Sequence, residues 1–393
     1  MKWSYSPDEK FMKFPRSYGN SVWKLILVIS DLHLSAGSIV HGKRNLLEDF
    51  HSDQELIDFF NFYGGSDQVS EEIELIINGD FLDFLAVPYV PFYDDEFWSE
   101  KASLEKLRLI RNAHREVFKA LDDFLLNPKC KLTYIVGNHD AEMILPRIKQ
   151  EFLSYFSHSN KIQILDHEEA YNPSIGIYIK HGHQYEYAHK FNPAESVLKS
   201  KKDELYLIPS WGSYYVTQVI NKFKHERSYV NSIRPVKHFL IHGFLFDTLF
   251  ILRFIFANAY YFFMVRIWML IKNRSSWSAL FDQVKTELKL FQNYEDLTRE
   301  FFAEKQDARV LVVGHTHEAV YRSFADGTCF INTGTWTKMT NLDFSQFRAG
   351  RRLTFAKIQV AKSTYDVEKW NEYCDVDLYE WRGRYDLPYA EYY

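Results

Sequence analysis

Five short stretches of this chain combine aspartate, asparagine and histidine at spacings that suit metal-ion chemistry. They are Asp31 and His33 in "ISDLHLS", Asp80 and Asp83 in "INGDFLDF", Asn138, His139 and Asp140 in "VGNHDAEM", His181 and His183 in "IKHGHQ", and His315 and His317 in "VVGHTHEA". One such pair alone is commonly two solvated loop side chains; five in succession are not. Carboxylate and amide oxygens suit hard cations and imidazole suits borderline ones, so this thiolate-free set points to Mn, Fe or Zn rather than Ca. Seven or eight candidates exceed what one tetrahedral or octahedral ion accepts, which implies two ions. A shared carboxylate would hold such ions roughly 3.5–4 Å apart, with a hydroxide between them placed to attack phosphorus. The chemistry implied is phosphoester hydrolysis.

Each stretch follows an apolar run: Leu25 to Ile29, Leu75 to Ile77, Tyr134 to Val136, Ile175 to Ile179 and Val310 to Val313. Such runs read as buried strands, and open α/β sheets keep their sites at the C-terminal ends of strands. Between them, "DQELIDFFNFY" and "LEKLRLIRNAHREVFKALDDFLL" repeat apolar residues at helical spacing. Short strands return after residue 305 in "AVYRSF", "TCFINTG" and "RLTFAKIQV". The alternation predicts a layered α/β/β/α sandwich with its loops gathered at one edge.

Asp-x-His, Gly-Asp-x-x-Asp, Gly-Asn-His-Asp, His-Gly-His and Gly-His-Thr-His, in that order, resemble the five motifs of the calcineurin-like metallophosphoesterases. The resemblance covers roughly residues 24 to 190 and 308 to 360. It implies a four-layer α/β/β/α core binding two divalent metal ions, Mn foremost, with Fe or Zn as alternatives. By that resemblance Asp31, His33 and His317 serve one ion, Asp80 bridges, and Asn138, His181 and His315 complete the second site. His139 would steady the transition state or protonate the leaving oxygen, and Asp83 would orient it.

Other polar residues in the motifs have plainer readings. His183 need not reach a metal, since pairs of the HxH type rarely both ligate one ion. Asp140 reads as a supporting or helix-capping group ahead of "AEMILPRIKQEF", and Asn78 as a turn residue before Gly79.

The 393 residues carry a net charge of −5, so no global basic field favours nucleic acid as a partner. Three well-separated cysteines, Cys130, Cys329 and Cys374, read as reduced thiols of a cytoplasmic protein. The apolar run from Val22 to Ile29 leads directly into the first motif and reads as core strand, not signal peptide.

The expected organisation is a core of residues 18–190 and 305–360, a helical cap at 191–304, and a tail at 361–393 packed on the core. The cap contains "LIHGFLFDTLFILRFIFANAYYFFMVRIWMLIK", whose charges interrupt it too often for a membrane span of roughly 20 residues. A helix near "WSALFDQVKTELKLFQNYEDLTREFF" follows. Asp247, Asn258 and Lys272 fall near one line of an otherwise apolar helix, and burial between cap and core is the expected fate of its surface. A basic flank of Arg227, Arg234, Lys237, Lys272 and Arg274 keeps a peripheral contact with the inner face of a membrane as the other reading. Arg227 and Arg234 are also candidates to grip substrate phosphate.

The insertion's position resembles the lid of the UDP-2,3-diacylglucosamine hydrolases, although it is longer and His139 stands where that branch has arginine. The resemblance implies a phosphodiester or pyrophosphate substrate, small or lipid-linked. The alternatives are a phosphomonoesterase acting on phosphoprotein or nucleotide, and an inactive scaffold of the same fold.

Overall fold

In the computed structural model the described residues are 23–66, 68, 70–88, 95–167, 169–230, 232–234, 236–273, 294–341, 349–361, 370–383 and 386–388. Trp23–Ile29 forms a strand, β1, whose side chains divide with a two-residue period. Leu25, Leu27 and Ile29 join a cluster with helical residues such as Leu56, Phe59 and Leu107. Ile26 and Val28 join another with Ile177, Ile179, Val310 and Val312 of a second sheet. Both faces are covered, so the strand is apolar throughout instead of alternating.

In chain order the strands that matter are β1, β2 (Glu72–Asn78), β3 (Cys130–Ile135), β4 (Ile162–Leu165), β5 (Tyr171–Ser174), β6 (Ile177–Ile179), β7 (Val310–Val313), β8 (Ala319–Ser323), β9 (Cys329–Thr333), β10 (Thr354–Ala361), β11 (Cys374–Trp381) and β12 (Asp386–Pro388). The larger sheet has the order β12-β11-β10-β1-β2-β3-β4, and the smaller β8-β9-β7-β6-β5. Strands β1 to β4 run parallel. Parallel neighbours need crossovers, supplied here by α1 (Asp53–Gly64), α2 (Glu100–Ala113), α3 (Arg115–Leu126) and α4 (Pro146–Ser154).

Residues assigned above to a tail supply β11 and β12, which extend the larger sheet antiparallel from β10. Leu378 and Trp381 on β11 are fully buried, so the sheet continues well past residue 360. The strand pattern is local, since Val376 and Leu378 alternate with Asp375 and Asp377, and the partner is the preceding strand β10. Later in the chain α9 (Tyr294–Glu304) brings Phe301 and Phe302 against Leu311, Val313 and Phe330 of the smaller sheet.

The inserted region opens, unlike the helical cap expected, with an antiparallel pair of short strands (Val197–Lys199 and Leu205–Leu207), followed by α5 (Trp211–Tyr215), a π-helical turn at Val216–Ile220, and α6 (Asn221–Glu226). Polar contacts seat it on the strand-bearing part: Asn221 Nδ2 donates to the Leu85 carbonyl at 2.8 Å, and Lys224 Nζ to the Leu47 carbonyl at 3.0 Å and Asp49 at 2.7 Å. Beyond it, α7 (Val236–Phe246) and α8 (Thr248–Asn273) pack Phe239, Phe250, Ile251 and Phe254 on Val219 and Phe223. Asp247 and Asn258 are taken up by Arg227 and Tyr215. The opposite flank, with Leu249, Phe256, Tyr260 and Phe263, is exposed. The expected burial therefore holds on one side only, because the hairpin packs on α5 and α6 instead of lying between two layers.

Among the described residues no helix is long and apolar enough to cross a membrane. Of the helix expected near residues 277–302 only its C-terminal part falls among the described residues, within α9. Arg274 and the side chains of Arg234, Lys237 and Lys272 lie outside them.

Candidate metal centre

Loops leaving the C-terminal ends of β1, β2, β3, β6 and β7 bring the five motifs together. The first two run side by side, with Asp31 N donating to the Gly79 carbonyl at 3.2 Å and His33 N to the Asp80 carbonyl at 2.9 Å. Asp31, His33, Asp80, His315 and His317 all have left-handed backbones, with φ of 53°, 55°, 52°, 71° and 64°. That conformation costs an L-residue roughly 1–2 kcal/mol and persists where surrounding hydrogen bonds over-determine the loop. Gly137 is required for a different reason: a Cβ there would collide with the Asp80 carboxylate.

Asp31, His33 and His317 form one group of converging donor atoms, and Asp80, His181 and His315 another. Nε2 of His33 lies 2.9 Å from Nε2 of His317, which in turn is 3.6 Å from Asp31 Oδ1. Asp80 stands between the groups, its Oδ2 3.3 Å from His181 Nε2 and 3.9 Å from His33 Nε2. Asn138 presents Oδ1 at 3.2 Å from the same His181 nitrogen.

The outward nitrogens of two imidazoles are engaged in a manner that leaves the inner ones free to coordinate. His181 Nδ1 donates to the Asn78 carbonyl at 2.7 Å, and His33 Nδ1 to Asp83 Oδ2 at 3.1 Å. Backbone and carboxylate partners of this kind hold metal-ligating histidines in orientation. Burial raises the Asp31 pKa, and the charge of Asp80 adds to the rise although His181 opposes it. Buried carboxylates amid converging imidazoles make a donor set that fits a pair of divalent ions.

Asp83 has a second contact, for its Oδ1 lies 3.0 Å from His139 Nδ1. The one carboxylate therefore ties His33 to His139, whose rings meet edge to face at 4.6 Å. Burial would depress His139, but Asp83 and Asp80 raise it to about 9. Burial pushes Asp80 up, yet the charges of His181 and His139 hold it well below the usual range.

Asp140 does not cap the helical turn that follows it. Its carboxylate accepts from Phe81 N at 2.9 Å, Tyr134 Oη at 2.6 Å and Gly137 N at 2.6 Å, pinning the Asp80 loop to the Asn138 loop. His183 stacks on Phe191 with centroids 5.1 Å apart, and burial beside His181 and His315 lowers its pKa well below normal. Asn78 ends β2 and donates through Nδ2 to the Lys180 carbonyl at 3.1 Å.

Arg227, read above as a phosphate grip, is paired with Asp247 at 2.8 Å and lies over the Phe250 ring, so its charge is neutralised within the insertion. Arg234 lies on a two-residue strand, and its side chain is outside the described residues. Sequence reasoning passed over Glu186 and His189, which group with His315. The available signal was their position immediately after His-Gly-His, in "QYEYAHK".

The two groups of converging donors could each hold a metal ion, as a metal-dependent phosphoesterase requires. The chain belongs to the calcineurin-like phosphoesterase family, whose model matches residues 24–319. None of the curated proteins matches it. Among solved structures it is similar to vacuolar protein sorting 29 from Cryptosporidium parvum, at 12% identity over 93% of this chain and 95% of that one, with a TM-score of 0.30. A putative 5'-nucleotidase from Staphylococcus aureus shows 11% identity over 90% of this chain and 53% of that one, with a TM-score of 0.35. Phosphopantetheinyl hydrolase from Mycobacterium tuberculosis shows 11% identity over 80% and 91%, with a TM-score of 0.28. Likenesses this distant say nothing about substrate.

Proposed function

We propose that the chain hydrolyses a phosphodiester or pyrophosphate of a small or lipid-linked substrate in the cytoplasm, with Asp31, His33 and His317 holding one cation and Asn138, His181 and His315 the other. The observation that carries this reading is the position of Asp80, one of whose oxygens faces both His33 and His181. The mixed oxygen and imidazole set suits Mn, with Fe and Zn compatible. When bound, such a pair supplies Lewis acidity and an activated water.

The protein's own groups account for the rest. Asp83 fixes His139 and, as an adjacent carboxylate, favours its protonated form. As oxygen from water bonds to phosphorus and the ester or anhydride P–O bond breaks, His139 gives its proton to the departing oxygen. The lipid-linked class rests on the exposed apolar flank of α8, which could accept acyl chains and rest against an anionic bilayer.

Metal analysis, followed by turnover of bis(p-nitrophenyl) phosphate beside p-nitrophenyl phosphate, tests the reading. The diester should be preferred, and Asp80→Asn should lower activity by ~10–100-fold or more with little loss of fold. Metal-free protein, or unchanged turnover in the variant, ends it.

A further inference from the structure

Two of the imidazoles in the centre have their outward nitrogen held by groups of the second motif, Asp83 for His33 and the Asn78 carbonyl for His181. His315 has a partner that belongs to none of the five motifs. Glu186 Oε2 lies 3.1 Å from His315 Nε2, with Glu186 four-fifths buried on its side chain. The turn carrying it is closed by its own carbonyl, which accepts from His189 N at 3.0 Å and Lys190 N at 2.9 Å. That turn delivers His189 to the same place, its ring 5.1 Å from that of His315 and its Nδ1 3.4 Å from Asn138 Nδ2. A Cβ on Gly212 would run into the His189 ring, so the first helix of the insertion is shaped around this group.

We propose that Glu186 is a positioning residue for the second cation: it accepts the Nε2 proton of His315 and so presents Nδ1 of that ring as the donor atom. His189 supports the arrangement by accepting from the Asn138 amide nitrogen, which leaves Asn138 Oδ1 turned toward His181. The inference rests on the dinuclear reading above. It makes His315 the opposite tautomer to His33 and His181, whose Nδ1 atoms are the ones engaged by Asp83 and the Asn78 carbonyl. A carboxylate in this place raises ligand basicity and fixes the ring plane, and losing such a partner weakens metal affinity by about 10–100-fold.

Mn titrations of the full chain, followed calorimetrically, provide the test. Wild type should bind two ions. Glu186→Ala should bind the second about 10–100-fold more weakly while the first is unchanged. Glu186→Gln, whose amide oxygen can accept the same N–H, should recover most of the loss. Histidine 15N spectra of the wild-type protein loaded with Zn give a reading independent of any variant, with the His315 proton expected on Nε2. Wild-type affinities in the alanine variant, equal loss of both ions, a glutamine variant no better than alanine, or a His315 proton on Nδ1 would each overturn the assignment. Failure of wild type to bind metal at all would instead remove the reading on which it rests.

Discussion

Nε2 of His33 and Nε2 of His317 lie 2.9 Å apart although the residues are 284 positions apart in the chain. His33 Nδ1 is already committed to Asp83, so the facing nitrogen of that ring is a lone pair. A cation between such donors should stabilise the fold. With Mn at about 100 times its dissociation constant each site should add about 2.7 kcal/mol, read as a rise in melting temperature that a chelator reverses. An unchanged melting temperature would count against metal binding here.

Gly137→Ala should damage the centre without opening the core. The added methyl meets the Asp80 carboxylate, which must move, and Asp80 also accepts the His139 amide at 2.8 Å. Metal affinity should fall by about 10–100-fold. Retention of two tightly bound ions would show that the loop yields more easily than its contacts suggest.

Backbone strain at the ligands gives an unusual order of stability. His317 has φ of 64°, a conformation that glycine adopts freely and alanine does not. In the metal-free protein His317→Gly should therefore be more stable than His317→Ala by about 1 kcal/mol, the reverse of the order in a helix. Urea denaturation of the two variants measures the difference.

Away from the centre, Lys106 and Glu142 form an ion pair of 2.9 Å with both side chains fully buried, and the ammonium lies 3.7 Å from the Phe97 ring centroid. Lys106→Met should cost about 3–5 kcal/mol because it leaves Glu142 buried and unpaired. Adding Glu142→Leu should return most of that stability. A double variant as unstable as the single one would assign the loss to packing.

His114 should make stability depend on pH. Burial lowers its pKa, but hydrogen bonds to Asp53 and Glu48 outweigh burial and raise it to about 9, against 6.5 ordinarily. The folded state holds its proton more tightly, so the contribution is fully present below about pH 6.5 and is lost as pH rises through about 9. Allowing for solvent around the half-exposed Asp53, it amounts to about 2–3 kcal/mol. The stability gap between wild type and His114→Gln should shrink between pH 6 and pH 10 in denaturant titrations.

The metal chemistry was legible because each motif is local: an apolar run, a turn, and two or three donor side chains within a few residues. Asp31, His33, Asp80, Asn138, His181, His315 and His317 all stand out as candidates in this way, and the structure brings them together. Glu186 does not, because its partner His315 is 129 residues further on, and a place just after His-Gly-His does not by itself say which ring it meets. The same limit hid the contact of Asp83 with His33, and the commitment of Arg227 to Asp247.

By itself the sequence determined the donor types, the strands that carry them and the class of reaction, since side-chain chemistry and two-residue periodicity are properties of short segments. Only the tertiary structure decided which carboxylate oxygen faces both clusters, which flank of α8 is left exposed, and that Glu186 meets His315. Those outcomes depend on contacts between distant segments, whose free energy is settled by the packing of the whole and not by any stretch read alone.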